Sequence, residues 1–196
     1  MLLPFNTEEH LKLVAELHYK ALPWSTNSQL GKEHIYNIFK ALADLPSTFG
    51  FVWMHEGQMV GFSIGSMDYL EARKAIRSSY STKNIVQLII KSLLKPLYFI
   101  IAFETVFVVP QYLKRCGTKA EWIAWSTDMT NPKYPIAAIQ CFLAIKKYYA
   151  KHGQPYFIAQ GERRSERSAA FLSKIKNIKK KYFYTTVVYI LNSHNQ

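Results

Sequence analysis

The chain is short of cysteine, glycine and acidic residues, and each shortage excludes something. Only two cysteines occur, Cys116 and Cys141, far apart and with no Cys-x-x-Cys or Cys/His spacing around either. Neither a disulfide framework nor a zinc site is indicated, and a reducing cytosol fits best. The eight glycines form no Gly-x-Gly-x-x-Gly turn, Walker loop or Gly-x-Ser-x-Gly elbow, and no His-Glu-x-x-His pair is present, so those nucleotide, esterase and zinc-peptidase chemistries have no motif here. The opening MLLPFNTEEH lacks the basic start and apolar core of a secretion signal. The most apolar stretch, residues 85–109, is cut by Lys91, Lys95, Pro96 and Glu104 into runs well below the roughly 20 residues of a spanning helix. It is left as core or as partly exposed apolar surface, and the expected location is cytoplasmic or peripheral at a membrane.

What is present is the material of a folded protein. Apolar residues make up 49% of the 196 and aromatics 15%, with 19% charged, enough for one compact domain over residues 1–196 with a large interior. The net charge of +12 is unevenly spread. Residues 1–72 carry four lysines and eight acids, a balance of −4, which leaves +16 on residues 73–196. The second part should attract an anionic partner.

Asn6 or Thr7 can cap a first helix, with Glu8 and Glu9 in its first turn and Leu11, Val14, Ala15, His18 and Leu22 at helical spacing up to Pro23. Ile35, Ile38, Phe39 and Leu42 mark a second helix, ending before Pro46. Residues 49–67 read as an antiparallel hairpin turning at Glu56-Gly57. Residues 69–117 read as a mainly helical insertion, in which 82–95 is helical, Pro96 opens a further turn and IIAFETVFVV is ambiguous between helix and strand. EWIAWST (121–127) is a strand and residues 136–153 a helix stopped by Gly153. A strand over 155–161, a helix over 164–176 and one long strand over 182–191 follow.

The order helix, helix, hairpin, strand, helix, strand, helix, strand resembles that of the GNAT N-acetyltransferases over nearly the whole chain. Segments 17–42 and 51–62 resemble the family's acceptor-side helices and its first hairpin. The resemblance implies an α/β fold of the α+β kind, a mixed and mainly antiparallel twisted sheet flanked by helices, with the insertion at about 69–117. It implies an N-acyltransferase whose donor is acyl-CoA or an acyl-phosphopantetheine, working on a small-molecule amine without metal. Pantetheine would lie along the splayed strand at Trp125, Ser126 and Thr127, and its phosphates would meet the start of the next helix.

The family's phosphate turn reads Gln/Arg-x-x-Gly-x-Gly/Ala, because glycine lets backbone approach phosphate oxygens. This chain has no glycine between Gly117 and Gly153. In the nearest register Lys133 takes the first position, Ile136 the first glycine's and Ala138 the last, with Ala137 between. The family's last helix would place Ser165 near the donor, while Ser168 and Leu172 stand where an alanine and an acidic tyrosine are usual. Two alternatives follow: a donor without a nucleotide, such as an acidic acyl carrier protein presenting phosphopantetheine, or a non-catalytic module binding an acidic protein or an anionic membrane.

Amide formation needs a base for the amine, and Asp128, closing the splayed strand, is the first candidate, although an ordinary turn is the commoner job of such an aspartate. Glu121, opening the same strand, is the second. Tyr134, in the donor loop, is the candidate acid for the leaving thiolate, while Tyr148 and Tyr149 read as core. His18 and His34 read as packed or capping groups, His55 and Glu56 as turn surface. Arg163, Arg164, Arg167, Lys174, Lys176, Lys179, Lys180 and Lys181, against Glu166 alone, offer a surface for phosphate, carrier protein or anionic lipid. Nucleic acid is not expected there, because no reader motif accompanies the basic run.

Overall fold

A computed structural model describes residues 1–5, 7–163, 165, 170–172, 174–175 and 179–193. In chain order the elements are β1 (Leu2–Pro4), α1 (Glu8–Ala21), α2 (Thr26–Gln29), α3 (Lys32–Ala43), β2 (Thr48–His55), β3 (Gln58–Ser66), α4 (Tyr69–Ser78), α5 (Thr82–Leu94) and α6 (Pro96–Phe103). A π-helical turn (Glu104–Val108) runs into α7 (Val109–Leu113), followed by β4 (Glu121–Thr127), α8 (Tyr134–Lys151), β5 (Tyr156–Glu162), β6 (Lys179–Tyr182) and β7 (Thr186–Asn192).

The seven strands form one sheet in the order β1-β2-β3-β4-β5-β7-β6, antiparallel everywhere except between β4 and β5. This is the mixed, mainly antiparallel sheet flanked by helices that the sequence implied. Positive φ at Glu56 (49°) and Gly57 (75°) makes the β2–β3 turn one whose twist matches the strands.

Side-chain caps start α1, α2, α4 and α5. Thr7 accepts from the His10 amide at 3.2 Å to start α1, and Ser81 with Asn84 closes a reciprocal capping box on α5. Leu11, Val14, Ile35, Ile38, Phe39 and Leu42 from α1 and α3 pack with Val52, Phe62 and Ile64 on one face of the sheet. Phe142, Ile145 and Tyr149 of α8 pack with Trp122, Phe157, Ala159, Val187 and Leu191 on the other. Ile158 and Val188 turn back to the first face and meet Tyr69, Val109 and Leu113. β5 and β7 are therefore buried on both sides, which is why they read as unbroken apolar runs.

Three expectations need correcting. The 182–191 segment is not one strand but the second half of a β6–β7 hairpin, because the amide and hydroxyl of Thr185 are drawn to the Glu104 carboxylate and the chain turns there. α8 starts at Tyr134, two residues before Ile136. β1 and α2 were not anticipated; three or four residues are too few to set a period. The helix expected over 164–176 lies mostly outside the described residues, of which 170–172 are helical.

Candidate active site

β4 and β5 pair at only two positions, Glu121 with Ile158 and Trp122 with Ala159, and then separate. The separation begins at a β-bulge: Ala124 faces Ile64 and Trp122 faces Gly65 on β3, leaving Ile123 as the extra residue. A bulge bends its strand and adds twist, and here the bend carries β4 away from β5. Asp128 donates its amide to Val60 O at 2.7 Å, so alternation along β4 turns the N–H and C=O of Thr127 and Trp125 into the gap. Ser126, by the same alternation, spends its backbone on β3, and its side chain is buried. Trp125 stacks on Trp122 at 4.8 Å between ring centroids and meets Phe171 from the second face.

At the closed end of the gap lies Glu121. Its carboxylate is 5% exposed, accepts hydrogen bonds from Gln160 of β5 and from Arg73 of α4, the latter at 3.5 Å. Burial raises its pKa above the ordinary carboxylate range, outweighing the pull of Arg73 and the hydrogen bond from Gln160. From this point a cleft of about 1020 Å³ opens on the first face of the sheet. Its polar end is Glu121, Arg73, Gln160 and Arg163, and its walls are apolar, with Ile76, Ile85, Leu88, Leu97, Ile101 and Val106.

The insertion builds those walls and is pinned at both ends. Lys91 donates to Gln29 O at 2.9 Å and Tyr98 to Gln29 Oε1 at 2.6 Å, tying α5 and α6 to α2. At the far end Glu104, 4% exposed, accepts from the Thr185 amide at 2.9 Å and its hydroxyl at 3.0 Å. Burial alone would raise that carboxyl, but the bonds from Thr185 and Thr186 prevail and hold its pKa below the ordinary value. The sequence signal was a lone acid inside an apolar run, which pointed to an interruption rather than an anchor. Arg73 and Gln160 carried no signal, since nothing in their surroundings marks them before the fold brings α4 and β5 to Glu121.

Asp128 sits at the other end of β4, roughly 20 Å from Glu121 at the usual rise per residue. Its Oδ1 accepts from the Thr130 amide at 3.0 Å and from its hydroxyl at 2.6 Å, and Lys20 of α1 reaches Oδ2 at 3.1 Å. Burial raises its pKa, but the Thr130 and Lys20 contacts outweigh it and the net shift is downward. The two candidate bases are thus not brought together. Tyr134, half-buried, opens α8 on the Asp128 side.

The loop before α8 spends most of its own amides within itself, Met129 excepted. Thr130 donates to Asp128 Oδ1, Asn131 to Asp128 O, Lys133 to Asn131 Oδ1 and Tyr134 to Asn131 O. Pro135 has no N–H, and Ala137 donates to Lys133 O. In the first turn of α8 only the Ile136 amide remains unspent among the described residues, beside the exposed Lys133 and the half-buried Ala138. Ala137 is fully buried, because Gly61 of β3 lets the helix come so close that a Cβ there would lie 3.1 Å from the Ala137 Cβ. Its smallness serves packing, and it is closed to a ligand. Ser165, half-buried, donates its amide to Glu162 O at 2.9 Å just past the end of β5.

No protein-family model matches the chain, and no curated protein matches it in sequence. Solved structures do. The PaiA N-acetyltransferase of Thermoplasma acidophilum, in complex with coenzyme A, superposes with a TM-score of 0.56 at 11% identity, covering 98% of this chain and 99% of that one. A Desulfovibrio desulfuricans protein assigned to the GNAT family gives 0.57 at 7% identity and 98% of each chain. This chain has the GNAT fold. FeeM, an N-acyl amino acid synthase from uncultured soil microbes, shares the fold with a TM-score of 0.56 at 12% identity, over 98% of this chain and 95% of its own. The split between β4 and β5 and the start of α8 are the two features described above with backbone groups open to an extended ligand.

Proposed function

We propose that the protein is an N-acyltransferase that moves an acyl group from a pantetheine thioester to the amine of a small molecule, with Glu121 as the base. The observation that carries this reading is the position of Glu121: a buried carboxylate of raised pKa at the vertex of the split strands, at the polar end of a deep apolar cleft. A pantetheine arm with its phosphate near the start of α8 runs along β4 toward it, bonding the free backbone of Thr127 and Trp125. The acceptor amine gives a proton to Glu121 and attacks the thioester carbonyl carbon. The C–N bond forms, the C–S bond breaks, and the sulfur leaves as thiol, its proton supplied by the medium or by a group such as Tyr134. Asp128 is the weaker candidate, because its lowered pKa and its bonds to Lys20 and Thr130 suit a turn and a helix entry.

The apolar walls of the cleft suit a long or bulky acyl chain, and a synthase of N-acyl amino acids occurs among the proteins of this fold. The self-satisfied loop favours a donor carrying one phosphate over coenzyme A. An acidic carrier protein fits the outer face of α8, where Ile136, Ile139 and Leu143 are exposed and where no acid occurs between Asp128 and Glu162. The same loop is also what a non-catalytic module would show, and one assay separates the two. Incubation with acyl-CoA and acyl-carrier donors and a panel of amines should release free thiol only when an acceptor amine is present. Absence of thiol release with every donor would leave the binding module as the reading.

A further inference from the structure

The insertion that walls the cleft has a second, outward face. Of the large apolar side chains that stand exposed among the described residues, twelve lie between Ile85 and Val108, and nine of these are not among the residues that line the cleft. Leu93 and Leu94 are 81% and 75% exposed, and Phe99, Phe103 and Phe107 form a ridge with successive ring centroids 6.4 and 5.3 Å apart. α6 is apolar on all sides, a pattern that normally lies inside a protein core or in lipid, and the exposed leucines at the end of α5 extend its outward surface. Soluble proteins rarely expose so continuous an apolar surface without a partner for it.

Charge decides which partner. Between Glu71 and Glu104 the chain has six cations, Arg73, Lys74, Arg77, Lys83, Lys91 and Lys95, and no acid. Four of these, Lys74, Arg77, Lys83 and Lys95, are exposed, so a second copy of the chain would bring like charges against like, whereas an anionic lipid surface offers both an apolar layer and opposite charge. No helix among the described residues is long and apolar enough to cross a bilayer, and the kink at Lys95-Pro96 between α5 and α6 suits elements lying in the interface plane. We infer that the outer face of α5, α6 and the π-helical turn docks on the surface of an anionic bilayer, with Leu93, Leu94 and the phenylalanine ridge entering the headgroup boundary. The inference does not depend on the acyl-transfer reading.

Co-sedimentation with vesicles tests it, using the full chain with phosphatidylcholine alone or with about one-third phosphatidylglycerol. Binding should be strong only to the anionic vesicles. The double variant Leu93→Ser/Leu94→Ser, which changes no charge and removes no buried group, should weaken it at least ~10-fold, with the circular dichroism spectrum unchanged. Lys83→Gln/Lys95→Gln should weaken it as well. Three results would overturn the inference: no binding to anionic vesicles, binding that the leucine variant leaves intact, or a dimer in light scattering that the leucine variant dissociates while vesicles bind neither form.

Discussion

The hydroxyl of Tyr149, in α8, donates to the carbonyl of Glu121 at 2.6 Å and reaches Ser66 O at 3.2 Å, holding the start of β4 to the end of β3. The Glu121 carboxylate points to the opposite face of the sheet, into the cleft. One residue therefore joins the core of the second face to the chemistry proposed on the first. Gly65 makes the bond possible, because a Cβ at that position would lie 2.6 Å from the Tyr149 hydroxyl and 2.7 Å from Phe49 Cζ.

Tyr149→Phe removes a buried donor that reaches both carbonyls and should cost about 1–3 kcal/mol, read from urea denaturation. Gly65→Ala presses on the same hydroxyl from β3 and should cost a similar ~1–3 kcal/mol by overpacking. If the hydroxyl also sets the position of Glu121, both variants lower the rate of acyl transfer more than they raise KM.

Much of this architecture was legible from periodicity and turn chemistry. The stripes of α1 and α3, the Glu56-Gly57 turn and the strand 121–127 all follow local rules that the tertiary structure leaves intact. The site was legible only in part. Glu121 opens a strand, where a carboxylate is ordinarily solvated, and its burial depends on Arg73 and Gln160 arriving from elements 48 and 39 residues away. Asp128 carried the stronger local signal, an aspartate before a Thr-Asn-Pro turn, and the turn is what that signal described. The β6–β7 turn was invisible for a like reason, since Glu104 lies 81 residues from Thr185.

Exchanging the two carboxylates for amides distinguishes their roles. Glu121→Gln should lower kcat by about 10²–10⁴-fold if Glu121 is the base. The acid limb of the wild-type pH–rate profile should lie above the ordinary glutamate range, because burial raises that pKa, and the limb should vanish in the variant. Asp128→Asn should leave kcat within a few-fold. It breaks an ion pair whose lysine is 56% exposed, so the stability lost is below about 1 kcal/mol. Because the folded pKa of Asp128 is lowered, that small contribution is present at neutral pH and disappears as the pH falls through the acid range.

The hydrogen bonds within the loop before α8 lead to an unusual expected donor ratio. A turn built for a pyrophosphate rejects a donor that lacks the nucleotide, often by 10²-fold or more, because buried binding groups are then left unpaired (~3 kcal/mol). Here Thr130, Asn131, Lys133 and Tyr134 already have acceptors within the loop. The kcat/KM for an acyl-phosphopantetheine should therefore lie within about tenfold of that for the matching acyl-CoA. A preference for acyl-CoA much beyond that would mean the loop opens on binding, and Pro132→Gly would then be expected to strengthen it.

Acid should destabilise the fold through the His18 ring. The His18 ring packs edge-on to Phe39 at 5.5 Å between centroids and lies 6.4 Å from Phe62, and neither ring nitrogen has a hydrogen-bond partner among the described residues. Burial lowers its pKa from 6.5 to about 4, so the folded protein holds this ring neutral where the unfolded chain would charge it. As the pH falls from about 6.5 toward 4, the unfolded state takes up the proton first and stability drops, by up to about 3 kcal/mol from this residue. His34, also buried and with its pKa lowered, adds to the loss in the same direction, whereas Glu121, with its pKa raised, opposes it. His18→Leu keeps the apolar contacts and has nothing to protonate. Its unfolding free energy should fall less steeply than that of the wild type between pH 6.5 and 4.5, in urea titrations at each pH. Equal slopes would mean that water reaches the ring in solution and that burial does not set its charge.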